Sequence, residues 1–490
     1  MTPASRTRPA PLPVRAALSR AERALSRWQE YAFTRALRAV DADRVAAEAR
    51  HAPDGPLSGL LFSVKDLFPV AGVESCAGSL LLRGWVPDRD PPLVAALRAA
   101  GAVVLGKGVC AELGFGVSAT ENRFDGRVLH FADPAVSPGG SSGGDAVAVG
   151  AGIADFAVAG DYGGSVRWPA QAAGVLGLRL GVAHPFAGAA ATQRIGLRPP
   201  DSSAPGRAAP GGCQQSELET AGLMARSPAA LRAVLAALAG RTQGDEASCR
   251  CGSWRSAPDQ AGDPGPGQTR SRRLLVSDGT EIAPVRPEVA AALSAARDAA
   301  EQAGYQVIPA PDGLREALRD AAAIYGALRA LTDDHGAVRE LAAGRQELLC
   351  ASTRAVLDQH SQRGAAPPDP AVMTRLRGRA AEIRRTVRAA LLTAGAGALL
   401  LPAAATGALG YDARVNVAGR LLDATDLMAH CRAVSLTGLP ALSLPAGTPA
   451  ARPWLSVQLL GADRGEEQLC SVAADLAAAG FGAASHGAPA

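Results

Sequence analysis

Short apolar segments set between stretches of helical periodicity constrain this chain more than any other feature. Residues 61–64, 102–105 and 156–158 are runs of mostly aliphatic residues too short for ordinary helices, and helical patterns at 92–100 and 144–151 alternate with them. That alternation predicts an α/β protein, with a central mixed twisted β-sheet flanked by helices on both faces. Further along, 273–276 reads as a strand, 286–304 as an amphipathic helix, 305–308 as a strand, 314–393 as helix-rich and 398–402 as another apolar segment. Two helices are expected within 14–48, where alanine, leucine and arginine recur at helical spacing, and residues 53–58 break them. The resulting organisation is an N-terminal helical segment at 1–52, one large domain over 53–480, and a tail at 481–490. Surface loops are expected at 199–215 and 240–273, both dense in proline, glycine, serine and charge.

Composition narrows the function classes. Of the 490 residues 48% are hydrophobic and 20% charged, which suits a large core and is too apolar for a disordered chain. The net charge of +4 is small and the arginines are interspersed with acids, so no nucleic-acid partner is expected. Eight cysteines without repeated spacing argue against a disulfide framework. The first fifteen residues lack the apolar core of a secretory signal, and 156–160 and 391–401 are too short or too interrupted to span a bilayer. The expectation is a soluble cytoplasmic protein with no membrane association.

Of fifty lysines and arginines, only Lys65 and Lys107 are lysine. A bias toward arginine has replaced lysine wherever charge alone sufficed. Arginine cannot be deprotonated in a protein, whereas a desolvated lysine can serve as a neutral base. Lys65 ends the apolar run that starts at Gly59, which makes it the candidate for chemistry. Lys107 closes a G-x-x-x-x-G-K pattern from Gly101, but Gly108 stands where a phosphate-binding loop needs serine or threonine. An ion-pairing structural role, tolerant of arginine, is the better reading of Lys107.

Two glycine-flanked serines follow. Ser141 lies in Pro138-Gly-Gly-Ser-Ser-Gly-Gly144, and Ser165 lies in Gly160-Asp-Tyr-Gly-Gly-Ser-Val-Arg-Trp-Pro169. Nucleophilic acyl chemistry needs an activated nucleophile, a proton shuttle and donors for the oxyanion. Ser165 is the candidate nucleophile, and the N–H groups of Tyr162, Gly163, Gly164 and Ser165 are candidate oxyanion donors, with the glycines allowing close approach of a substrate carbonyl. Taken alone, a Gly-Gly-Ser-Ser-Gly-Gly run reads as a flexible loop. The seven histidines show no paired spacing and no G-x-S-x-G elbow exists, so nothing in the sequence supports a Ser-His-Asp triad. Cys249-Arg-Cys251 has no second cysteine pair, and no metal site is expected.

Lys65, Ser141 and Ser165, in that order and in those settings, resemble the amidase signature family. Gly55-Pro-Leu-Ser-Gly59, Gly174-Val-Leu-Gly-Leu-Arg179, Glu219-Thr-Ala-Gly-Leu-Met-Ala-Arg-Ser227 and Leu436-Thr-Gly-Leu-Pro-Ala-Leu-Ser-Leu-Pro445 agree with further blocks of the family. The resemblance implies the mixed-sheet fold, a cis peptide bond between Gly140 and Ser141, and a proton relay from Ser165 through Ser141 to Lys65. It also implies substrate contacts by Gly140, Tyr162, Gly163 and Gly164, and no metal or organic cofactor. Four positions depart from the pattern: Leu67, Tyr162, Trp168 and the Trp454-Leu-Ser456 stretch. Tyr162 and Trp168 bracket the nucleophile and are expected either to shape the acyl pocket or to pack in the core. The resulting expectation is a serine amidohydrolase acting on a small-molecule amide, with a homodimer or a partner subunit as the candidate assemblies. The alternatives are an amidotransferase resembling the glutaminase subunit of transamidation complexes and a catalytically silent scaffold.

Overall fold

A computed structural model of the protein describes residues 12–117, 122–190, 218–239, 271–331, 336–362, 369–411, 414–422, 424–447 and 454–482. The strands in chain order are β1 (Leu37–Arg38), β2 (Leu61–Lys65), β3 (Val103–Gly108), β4 (Phe156–Asp161), β5 (Leu176–Arg179), β6 (Thr220–Ala225), β7 (Arg273–Val276), β8 (Gln306–Pro309) and β9 (Ala398–Pro402). They continue with β10 (Val415–Val417), β11 (Arg420–Leu422), β12 (Ala441–Pro445) and β13 (Ser456–Leu460). Eleven of them form one mixed sheet, in the order β1-β3-β2-β4-β6-β5-β12-β13-β9-β7-β8, while β10 and β11 form a separate antiparallel pair. Strands β3, β2 and β4 run parallel, as do β9, β7 and β8, and the other neighbours are antiparallel.

The apolar runs read as strands are β2, β3, β4 and β9, and 273–276 is β7. The helical patterns are the helices Pro92–Ala99, Gly143–Gly150 and Pro287–Gln302. The two N-terminal helices are Leu12–Glu30 and Ala42–His51, and their Ala17, Ala21 and Val45 share one apolar cluster with Leu61, Val103 and Ala157 of the sheet. The loop expected at 199–215 lies outside the described residues, as does 240–270 of the second loop and 483–490 of the tail. Phe481 packs into the main core.

Alternation along β2 decides where its polar residues go. Phe62 and Val64 point into one apolar cluster, and Phe62 stacks on Phe156 of β4 with ring centroids 5.0 Å apart. Leu61 points to the opposite face, where the Gly143–Gly150 helix lies. With a period of two, Ser63 and Lys65 share that second face. The helix comes close to the sheet backbone: a Cβ added at Gly144 would collide with the backbone of Ala36 and Val109, so only glycine fits there. This close approach brings Ser141 and Asp145 within reach of β2.

Candidate active site

The parallel strands β2 and β4 end at the same edge of the sheet, one at Lys65 and the other at Asp161. In open α/β sheets the carboxyl ends of such strands form the crevice where ligands bind. Here a cleft of about 580 Å³, open to solvent, is lined by Lys65, Ser141, Tyr162, Gly163 and Ser165. Lys65 and Ser141 are 1% and 2% exposed, and Ser165 is partly exposed. Lys65 Nζ donates to Ser141 Oγ at 2.7 Å. The Gly140–Ser141 peptide bond is cis. Among the described residues no hydrogen bond links Ser141 to Ser165, and catalytic contacts of this kind often tighten only once substrate is bound.

The turn after β4 is held by a buried acid. Asp161 Oδ1 accepts from the Gly164 N–H at 2.8 Å, and Oδ2 accepts from the Val166 N–H at 3.2 Å. Arg167 donates to both carboxylate oxygens, at 3.0 Å from Nε and 2.9 Å from Nη2. It also donates to Gln458 Oε1 at 2.9 Å and Ser435 Oγ at 2.7 Å, and so ties the Ser165 loop to β13 and the Ala429–Thr437 helix. Burial pushes the Asp161 carboxyl up, but Arg167, with Arg179 beside it, outweighs that and holds it at about 2. Removing the carboxylate would leave Arg167 buried without its partner, at a cost of about 3–5 kcal/mol.

This network corrects one expectation. Gly164 was expected among the oxyanion donors, but its N–H is committed to Asp161, and its φ of +121° is a conformation that favours glycine. The N–H groups of Gly163 and Ser165 donate to nothing among the described residues, and Gly163 faces the cleft. Gly140 is buried and carries the cis bond, while the cleft wall at that point is Ser141. Tyr162 lines the cleft and meets Tyr325 edge to face, with centroids 6.0 Å apart. Trp168 does not line it. It is 4% exposed, packs with Ala404, Ala405, Leu427 and Met428, and donates to the Val117 carbonyl at 2.7 Å, supporting a cleft residue from behind.

Lys107 lies outside the cleft. Its Nζ is 3.5 Å from Asp66 Oδ1, donates to Ser75 Oγ at 3.0 Å and also donates to the Phe68 carbonyl. Asp66 accepts in addition from the Cys76 and Gly78 N–H groups and lies 3.7 Å from Arg38. One buried acid that sequence reasoning passed over is Asp145, on the Gly143–Gly150 helix. Its Oδ1 accepts from Ser63 Oγ at 2.7 Å, Oδ2 has no hydrogen-bond partner among the described residues, and the carboxylate presses on Gly108, where an added Cβ would collide with it. Burial pushes this carboxyl up to about 7, against the restraining Ser63 hydrogen bond and the charges of Lys65 and Lys107.

None of the described histidines lines the cleft. Buried His430 bonds the Gly279 carbonyl, and burial lowers its pKa to about 4. Among the described residues no cluster of His, Cys, Asp and Glu could hold a metal ion, and Cys249 and Cys251 lie outside them. No helix among the described residues is long and apolar enough to cross a membrane.

A mixed sheet covered by helices, with a lysine, a serine after a cis bond and a glycine-flanked serine at one crevice, defines the class. The Amidase family profile matches residues 13–470, and the chain belongs to this amidase signature family. The A subunit of glutamyl-tRNA(Gln) amidotransferase from Salinispora arenicola is 36% identical over 241 residues, covering 47% of this chain and 46% of the relative. Its counterpart from Methanospirillum hungatei is 44% identical over 126 residues, 26% of this chain and 29% of the relative. The chain thus matches less than half the length of these relatives. In structure, it is similar to a chain from a vestigial protein complex bearing on the evolutionary origins of an s-triazine catabolic enzyme. That match has a TM-score of 0.72, is 22% identical and covers 95% of this chain and 96% of the other.

Proposed function

We propose that this protein cleaves a carboxamide C–N bond through an acyl-enzyme on Ser165, with Lys65 and Ser141 moving the proton. The observation that carries this reading is the buried 2.7 Å contact between Lys65 Nζ and Ser141 Oγ at the cleft into which Ser165 opens. As Ser165 Oγ attacks the carbonyl carbon, its proton passes to Ser141 and the Ser141 proton passes to neutral Lys65. The oxyanion is met by the N–H groups of Gly163 and Ser165. The intermediate then expels the amine, which takes its proton back along the same relay, and an acceptor releases the acyl group from Ser165. The test is Ser165→Ala, expected to abolish turnover with an unchanged melting temperature, paired with a fluorophosphonate that labels Ser165 alone. Labelling at Ser141 with normal turnover in the Ser165 variant would overturn the assignment.

Two destinations for the products remain, and the relatives favour one. Proteins named as the A subunit of glutamyl-tRNA(Gln) amidotransferase support ammonia transfer with a partner protein over the hydrolysis by an isolated chain that the sequence suggested. Under transfer, ammonia release is slow until the partner is supplied. Under hydrolysis the isolated chain turns over steadily, and hydroxylamine diverts part of the flux to hydroxamate. A partner stimulation of a hundredfold or more decides for transfer.

A further inference from the structure

We propose that Asp145 is a positioning residue of the relay: its carboxylate, seated beside Lys65 in the space that Gly108 leaves open, holds the proton on Lys65 and so sets the pH at which the lysine becomes a base. The proposal rests on the amide-cleaving reading above and deepens it at a group that the relay itself does not use.

The sheet register places the two charges together. Lys65 of β2 pairs with Gly108 of the parallel β3, and Ser63 pairs with Gly106, so all four positions face the same side of the sheet. The helix Gly143–Gly150 packs on that side and carries Asp145 in its first turn. A Cβ built at Gly108 would collide with both oxygens of the Asp145 carboxylate. The carboxyl thus fills the place of the side chain that position 108 lacks, about 4.8 Å across the strands from β2 and the root of Lys65. Ser141, four residues before Asp145, accepts from Lys65 Nζ at 2.7 Å. One short stretch of chain therefore brings both the relay serine and an acid to the same lysine. It also accounts for the broken G-x-x-x-x-G-K pattern: where a phosphate-binding loop has a hydroxyl side chain, this chain keeps an empty place and seats an acid in it.

The groups acting on Asp145 point to an electrostatic role. They are Ser63 and Lys65 from β2, Asp66 just beyond it, Lys107 from β3 and Cys110 after it. Asp66 is engaged by Lys107 and by the Cys76 and Gly78 N–H groups, and burial pushes the Cys110 thiol up so that it stays neutral. Lys107 belongs to the other side of the sheet, with Asp66, Ser75 and the Phe68 carbonyl. Burial raises the Asp145 carboxyl to about 7, so above neutral pH it is a carboxylate next to Lys65. An opposite charge at such range favours the ammonium form and delays its loss of a proton. Accepting from Ser63 needs no charge, since an amide oxygen would serve as well. The charge is what Asp145 adds.

A chain with two lysines makes the test direct. Protein labelled with carbon-13 at lysine Cε gives two side-chain signals, assigned by the loss of one in Lys65→Arg, and both are titrated from about pH 6 to 11. In Asp145→Asn the Lys65 midpoint should fall by about one pH unit or more, and that of Lys107 by less. The acid limb of kcat/KM for the best of a set of primary amides should move down with the Lys65 signal. Ser63→Ala keeps the acid but removes the hydrogen bond that favours its ionised form, and should move both readouts the same way by less. Melting temperatures check each fold, and Ser63→Ala decides alone should Asp145→Asn not fold. A Lys65 signal that stays in place in the folded variants would overturn the proposal, because an acid that only accepts from Ser63 leaves the lysine's titration alone. A Lys65 signal that moves while the acid limb does not, or while no amide is turned over, would uphold the proposal and sink the reading of Lys65 as the base.

Discussion

Lys65 and Lys107 sit at the ends of adjacent parallel strands, where Val64 pairs with Lys107 and Lys65 with Gly108. Both are buried, and both have been kept as lysine in a chain that uses arginine almost everywhere else. Their surroundings differ in kind. Lys107 is enclosed by Asp66, Ser75 and the Phe68 carbonyl, so its ammonium is a compact charge meeting three acceptors in a space closed to solvent. Lys65 reaches the cleft and touches a serine hydroxyl that can give or take a proton. Under the proposed relay, retention of a lysine has two separate physical causes: one site would exploit its capacity to lose a proton, and the other its small size.

The sharpest way to break this comparison is to exchange both lysines for arginine. Lys65→Arg keeps the charge but removes the base, so amide turnover should fall about 10²–10⁴-fold, the usual worth of a positioned acid–base group. Lys65→Ala should be equally impaired. Lys107→Arg should leave turnover far closer to that of the unaltered protein. A Lys65→Arg enzyme with near-normal rate would dissolve the distinction, since both lysines would then be structural.

How much of this could be read in advance follows from how local each signal is. Lys65, Ser141 and Ser165 line one cleft, and they could be singled out as candidates because each sits in a short segment whose composition, apolar run or glycine flank, marks it without reference to the rest of the chain. Strands such as β2 and β9 were legible for the same reason. Asp161 and Arg167 lay in view beside Ser165, and their hint was charge placed next to an apolar strand. Nothing in one dimension said that they face each other, or that the carboxylate would claim the Gly164 N–H. Of the two alternatives for Trp168, core packing is the one observed, because a residue three positions after Ser165, on a helix, turns away from the cleft that Tyr162 lines. Arg329 and Arg432, which also line the cleft, could not be singled out among forty-eight arginines, because only the packing of two distant helices brings them there.

The second test concerns the closed site. Lys107→Met leaves Asp66 buried with only the 3.7 Å contact to Arg38 as a counter-charge among the described residues, and should destabilise the fold by about 3 kcal/mol. Combining it with Asp66→Asn should recover much of that loss, and the double-mutant cycle measures the coupling. Lys107→Arg should also be destabilising, by about 1–3 kcal/mol, because a larger head group is forced into a filled space. The sequence alone suggested that this exchange would be mild, and full burial of the side chain reverses that expectation. Chemical denaturation of the five proteins, with the single Asp66→Asn variant and the unaltered protein among them, gives the values. Equal stability of all of them would mean that Asp66 does not need Lys107.

The last test concerns Asp145, the acid that lies near both lysines and pairs with neither. Its carboxyl is raised from 3.8 to about 7 by burial. Between those values the folded protein holds a proton that the unfolded chain releases, so this group makes stability fall as pH rises through the window, and the penalty is complete above it. Asp145→Asn removes the titration while keeping an oxygen to accept from Ser63. The variant's stability relative to the unaltered protein should therefore increase with pH, by no more than about 1.4 kcal/mol per unit, and level off beyond pH 7. Melting temperatures of both proteins from pH 4 to 8 give the difference directly. A constant difference across that range would mean that Asp145 stays ionised throughout, in which case Lys65 and Lys107 share a counter-charge and their surroundings are less distinct than the geometry indicates.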